Sequence, residues 1–170
     1  DYQPIKSLDN DKRAIQIKDL LTMSAGFDSE DENSQSIGNE DKLDELTTDW
    51  VRYSIDVPMI NKPGEKWAYS SMKTFLLGYI VQKASGKPLD KFAEKYLFNP
   101  LDIKDVSWRF TPKGRVVAQG NFKISNRNMD KIGQLVLNKG LYKDKQIVSQ
   151  KWIEESIKAR HPVTWNNYDS

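Results

Sequence analysis

The chain has no cysteine, one histidine, no run of basic residues and no long apolar stretch. Without cysteine there are no disulfides and no thiolate metal sites, and the compartment is left open. A single imidazole, His161, excludes a multi-histidine metal site, and any Ser-His-Asp triad inside the chain would have to use it. It follows Ala159-Arg160 and reads as an ordinary cation at a helix end or a solvated side chain. Lys and Arg number 26 against 24 Asp and Glu. That balance, with no basic stretch interleaved with aromatics, gives no footprint for nucleic acid. The longest apolar run, Phe75 to Val81, falls far short of the ~20 residues that span a bilayer. No secretory leader is visible, and Asp1-Tyr2-Gln3-Pro4 opens without methionine, so a processed or trimmed chain is expected.

What is present is an ordinary globular composition of 170 residues, enough for one domain with a sizeable core. Ile17, Leu20 and Leu21 share a helical face, with Gly26 as the expected stop. Residues 28–40, rich in Asp, Glu, Ser and Asn, read as an exposed loop, solvated and variable, with a lid role as the alternative. Asp28, Glu30, Asp31 and Glu32 lack the spacing and glycine of a calcium loop. Leu43, Leu46, Trp50 and Tyr53 predict one amphipathic helix of about three turns. Ser71 to Ser85 predicts a central helix apolar almost all round, and hence buried on nearly every side, stopped by Gly86 and Pro88. Leu89 to Leu97 predicts a shorter helix ended by Pro100. Residues 101–124 read as irregular, with short strands near Val106–Trp108 and Arg115–Val117. Ser125 and Ser149 are expected N-caps of two further helices, the first closed by Gly140. Six helices with little strand predict a mostly α domain.

Chemistry concentrates in Trp67-Ala68-Tyr69-Ser70-Ser71, behind the turn Pro63-Gly64 and ahead of the apolar helix. Free N–H groups and a favourable field for negative charge belong to helix N-termini, so a phenol there is placed for proton transfer. The other reading of Tyr69 is a half-buried aromatic closing off the helix. Ser70-Ser71-Met72-Lys73 also fits S-x-x-K, in which one helical turn brings a lysine amine beside a serine hydroxyl. Ser70 and Lys73 are thus an alternative nucleophile pair.

The segment Trp67–Ser71, followed by Phe75-Leu76-Leu77-Gly78, resembles the Tyr-x-Asn region of the serine β-lactamase and penicillin-binding-protein-like superfamily, in its class C-like, esterase-type branch. Ile15–Gly26, Leu76–Leu89, Tyr96–Leu101 and Ser125–Gly140 resemble further segments of that family in order and spacing. The resemblance implies a multi-helical domain of the β-lactamase-like fold over residues 1–170, with the α/β sheet portion absent from this chain. It implies a fragment of a larger, bacterial protein. The family's nucleophilic S-x-x-K motif belongs upstream of Asp1, and its K-T-G or H-x-G motif downstream of the last helix. The intact protein is then expected to be a serine hydrolase acting by acyl transfer, with Tyr69 in the proton-transfer network and no cofactor or metal. Expected substrates are a β-lactam, a D-Ala-D-Ala-like peptide or an ester. The fragment alone is expected to be inactive. Ser71 stands where the family usually has Asn; a hydroxyl is shorter and offers one donor in place of two, which favours a non-lactam substrate or weakened activity. A non-catalytic binding or sensor domain on the same scaffold is the rival reading. The family points to an exported parent. A cut face carrying Trp67, Tyr69, Trp165 and Tyr168 is expected to drive self-association.

Overall fold

A computed structural model describes residues 10–162. Trp165 and Tyr168, expected on a self-associating face, lie outside the described residues. Eight α-helices, one π-helical turn and one two-stranded hairpin make up the regular structure there: α1 (Asn10–Ala14), α2 (Ile17–Leu21), α3 (Glu40–Leu46), α4 (Trp50–Asp56), α5 (Ser71–Ser85), α6 (Leu89–Ala93), the π-helical turn (Glu94–Phe98), α7 (Asn126–Leu137), β1 (Leu141–Tyr142), β2 (Lys145–Gln146) and α8 (Gln150–Ser156). The described residues pack as two compact units, residues 10–77 with 159–162, and Gly78–Lys158.

In the first unit Leu20, Ala25, Phe27, Leu43, Trp50, Val51, Val57, Met72 and Phe75 form the buried apolar core. Trp50 meets Phe75 edge-on, with ring centroids 5.4 Å apart. The single helix expected over Leu43–Tyr53 is instead two. Asp49 Oδ1 accepts the Arg52 N–H, and Thr47 Oγ1 accepts the Asp49 N–H, so a new N-cap interrupts the apolar period. Helix α1 escaped the sequence reading; its Lys12 donates Nζ to the carbonyls of Ile55 and Val57 at the end of α4, where a cation is favoured. Gly26 is no helix stop, because α2 ends at Leu21. Its φ is +85°, its carbonyl accepts the N–H groups of Ile60 and Asn61, and a Cβ would stand 2.2 Å from Asn61 O. A close backbone crossing requires glycine there.

The second unit is built around Phe98, Leu101, Ile103 and Leu135. Phe122 stacks on Phe98 at 5.8 Å and touches Trp108 at 4.3 Å. Helix α6 runs on into a π-helical turn, Glu94–Phe98, in which Asn99 N–H donates to Glu94 O five residues back. Only isolated antiparallel bridges, Ser107 with Lys123 and Phe110 with Val116, mark the expected short strands. Ser125 and Ser149 cap α7 and α8 through their hydroxyls. After α7, Lys139 at φ +51° lets Gly140 N–H reach Leu135 O and its own N–H reach Val136 O, the Schellman arrangement. The hairpin went unforeseen, since its turn is Lys143-Asp144, at φ 46° and 61°, in place of the usual Asn-Gly.

Helix α5 has the predicted bounds. Its burial is not all-round: Met72, Phe75 and Leu76 are buried, whereas Tyr79, Ile80 and Val81 are half-exposed and Ala84 is exposed.

Candidate functional site

The residues singled out around the start of α5 all lie in the first unit. Tyr69 is 37% exposed, so its ring reaches solvent, while its backbone is fixed on both sides. Ala68 N–H donates to Met23 O at 3.0 Å, and Asp31 N–H donates to Tyr69 O at 3.0 Å.

Ser71 opens α5. Its N–H, one of the orphan donors of a helix start, donates to Asp31 Oδ2 at 2.6 Å. Its hydroxyl donates to Glu40 Oε2 at 3.1 Å, and Glu40 N–H in turn donates to Asp31 Oδ1 at 3.2 Å. One carboxylate thus serves the first turns of two helices, where negative charge is favoured.

The loop that carries Asp31 is exposed at residues 32–35 and at Ile37, as its composition implied, but its two ends are built into the protein. Ser29, Ser36 and Asn39 are buried. Ser36 Oγ donates to Asp28 Oδ1 at 2.8 Å and accepts the Glu30 N–H at 2.9 Å. Asn39 Nδ2 donates to Asp31 O at 2.9 Å, and its Oδ1 accepts the Asp41 N–H to cap α3. The short polar side chains satisfy backbone groups that a solvated loop would leave to water.

Lys73 is 1% exposed. Its Nζ donates to Ala68 O at 2.7 Å and to Met23 O at 3.4 Å. Burial lowers its pKa from 10.5 to about 8, opposed by the negative charges of Asp31 and Glu30. A cavity of about 40 Å³ beside it, lined by Phe27, Asp28, Ser29, Asn33, Lys66 and Ala68 among others, has room for a water molecule. Ser70 is fully buried, and its Oγ has no hydrogen-bond partner. The structure gathers Tyr69, Ser70, Ser71 and Lys73 on one turn, but no hydrogen bond joins the Ser70 hydroxyl to the Lys73 amine. Asp31, Glu40 and the Met23 carbonyl were missed by sequence reading; 40, 31 and 50 residues separate them from their partners, and no local pattern marks them. No cluster of metal-binding side chains occurs among the described residues, and no helix there is long and apolar enough to cross a membrane.

A family model described as Beta-lactamase matches residues 1–161, and the chain belongs to that family, within the serine β-lactamase and penicillin-binding-protein-like superfamily. The putative D-alanyl-D-alanine carboxypeptidase of Escherichia coli (strain K12) is 32% identical over 97 residues, covering 54% of this chain and 21% of the relative. The N-acetylmuramyl-L-alanine amidase of Bacillus subtilis (strain 168) is 38% identical over 64 residues, 38% of this chain and 14% of the relative. Among solved structures, a putative 6-aminohexanoate-dimer hydrolase from Bacillus anthracis gives a TM-score of 0.70 at 18% identity, over 83% of this chain and 40% of that one. The D-amino acid amidase from Ochrobactrum anthropi SV3 complexed with L-phenylalanine gives 0.59 at 18%, over 84% and 46%. At that identity the structures show the fold alone. The chain spans 21% of the first curated relative and 40% of the first structure. The described residues have a partial β-lactamase-like fold.

Proposed function

We propose that this chain is the helical part of a serine hydrolase that works by acyl transfer through a serine ester. In this reading residues 1–170 are one piece of a larger protein. The S-x-x-K nucleophile and the K-T-G or H-x-G motif come from segments outside these residues, together with the sheet. Tyr69 takes part in proton transfer to or from the reacting serine and leaving group. The observation that carries the reading is the backbone of Tyr69, held by Asp31 on one side and through Ala68 by Met23 and Lys73 on the other, beneath a ring that reaches solvent. Substrates are peptides, amides or esters, in line with the carboxypeptidase and amidase among the relatives. No metal or organic cofactor takes part, the parent protein is exported, and the chain by itself associates through the face near Trp67 and Tyr69.

The in-chain pair Ser70 and Lys73 is disfavoured by the buried, unpartnered hydroxyl and by the carbonyls that engage the amine. One observation favours the rival, a binding or sensor domain without chemistry: Ser71 gives its only hydroxyl proton to Glu40, away from any substrate carbonyl.

Labelling with a fluorescent penicillin and a fluorophosphonate decides. The longer protein should be labelled on a serine outside these residues, at a rate at least 100-fold lower in Tyr69→Phe. The 170-residue chain should stay unlabelled. Label on Ser70, lost in Lys73→Ala, would revive the in-chain pair, and no label on the longer protein would favour the rival.

A further inference from the structure

Lys73 is buried, so its amine must find its hydrogen bonds within the protein or in the small cavity beside it. Two backbone carbonyls accept them. Ala68 O belongs to the peptide group that directly precedes Tyr69, and Met23 O lies just beyond the end of α2. Met23 O also accepts the Ala68 N–H. The Nζ therefore closes a small ring of hydrogen bonds that fixes the peptide before Tyr69, as Asp31 fixes the one after it. We propose that Lys73 is a positioning residue for Tyr69: by gripping the Ala68 carbonyl it sets the peptide from which the phenol projects. The proposal rests on the catalytic reading of Tyr69 given above. The charged groups facing the ammonium are Asp31 and Glu30 of the loop, with Asp28 and Lys66 lining the adjoining cavity. With the pKa of Lys73 at about 8, the grip loses its charge within an accessible range. A merely space-filling lysine would pass no such change on to Tyr69.

The test uses the 170-residue chain labelled with [13C]tyrosine, the Tyr69 ring signal assigned by its loss in Tyr69→Phe. In the wild type that signal should be single and should move with a midpoint near pH 8. Lys73→Met should abolish that midpoint and broaden or split the signal. Lys73→Arg keeps the charge and should remove the midpoint while leaving one signal, which covers the case in which Lys73→Met does not fold. A wild-type signal with no movement near pH 8, or one unchanged in position and pH response in either variant, overturns the proposal. In the longer protein, with p-nitrophenyl acetate as probe, Tyr69→Phe should lower kcat at least 100-fold. Lys73→Met should lower kcat about 10- to 100-fold and leave KM within about twofold. Loss in Tyr69→Phe without loss in Lys73→Met sinks the positioning role alone. No loss in Tyr69→Phe sinks the catalytic reading beneath it.

Discussion

Replacing Asp31 by alanine removes the carboxylate shared by the starts of α3 and α5. Hydrogen bonds to a charged acceptor contribute about 1.5–3 kcal/mol each. The 2.6 Å bond from Ser71 N–H belongs in that range, and the 3.2 Å bond from Glu40 N–H at or below its lower end. Loss of a negative charge at two helix N-termini adds about 0.3–1 kcal/mol each. Asp31 is half-exposed, so water replaces part of the loss. The expected cost is about 2–4 kcal/mol, with Asp31→Asn intermediate, because an amide keeps one acceptor. The two units need not unfold together, so the local measurement is preferable to a global midpoint. Exchange of the Ser71 amide hydrogen should quicken roughly 30- to 700-fold, at ~1.4 kcal/mol per factor of ten. The same substitution withdraws a negative charge that favours the Lys73 ammonium, so the pKa of Lys73 should fall further below about 8. Ser71 exchange quickened by less than about threefold, with Lys73 titrating as before, would show that the loop is an ornament on α5 and refute the clamp.

Ser70→Ala should change stability by less than ~0.5 kcal/mol or raise it, measured by urea unfolding, because the buried hydroxyl makes no hydrogen bond. Lys73 gives stability a pH dependence of definite sign: its folded pKa of about 8 lies below the ordinary 10.5, so the unfolded chain binds more protons between these values and stability rises with pH across that window. Relative to Lys73→Met, the wild type should gain on the order of 3 kcal/mol from pH 8 to 10.5, at 1.36 kcal/mol per pKa unit; a flat difference across the window would contradict the burial of the charge. Gly26→Ala should cost more than ~2 kcal/mol in the same assay, since the Cβ meets Asn61 O at a positive φ. Phe75→Ala should cost about 3–5 kcal/mol, while Ile80→Ala, half-exposed, should cost less than half of that; equal losses would restore the all-round burial that the apolar pattern implied.

Local chemistry made much of this protein legible in its sequence. The bounds of α5, the serine caps of α7 and α8, the stop at Gly86 and the irregular stretch from 101 to 124 each depend on residues a few positions apart, and each was read correctly. The order of motifs placed the chain in its family for the same reason. Hydrophobic period alone failed where capping competed with it, at Thr47–Asp49, and where it could not distinguish a buried face from a half-exposed one, as at Tyr79 to Val81. The shell of the candidate site was out of reach. Asp31 meets Ser71, Glu40 meets Ser71 and Lys73 meets Met23 only because the chain folds back across 31 to 50 residues. No spacing rule relates such partners, and a segment of Asp, Glu, Ser and Asn has the same composition whether it dissolves in water or satisfies buried backbone groups. Sequence singled out Tyr69 to Lys73 as the candidate site; tertiary packing decided which carboxylate caps the helix, which carbonyls hold the lysine, and so how the backbone of Tyr69 is held.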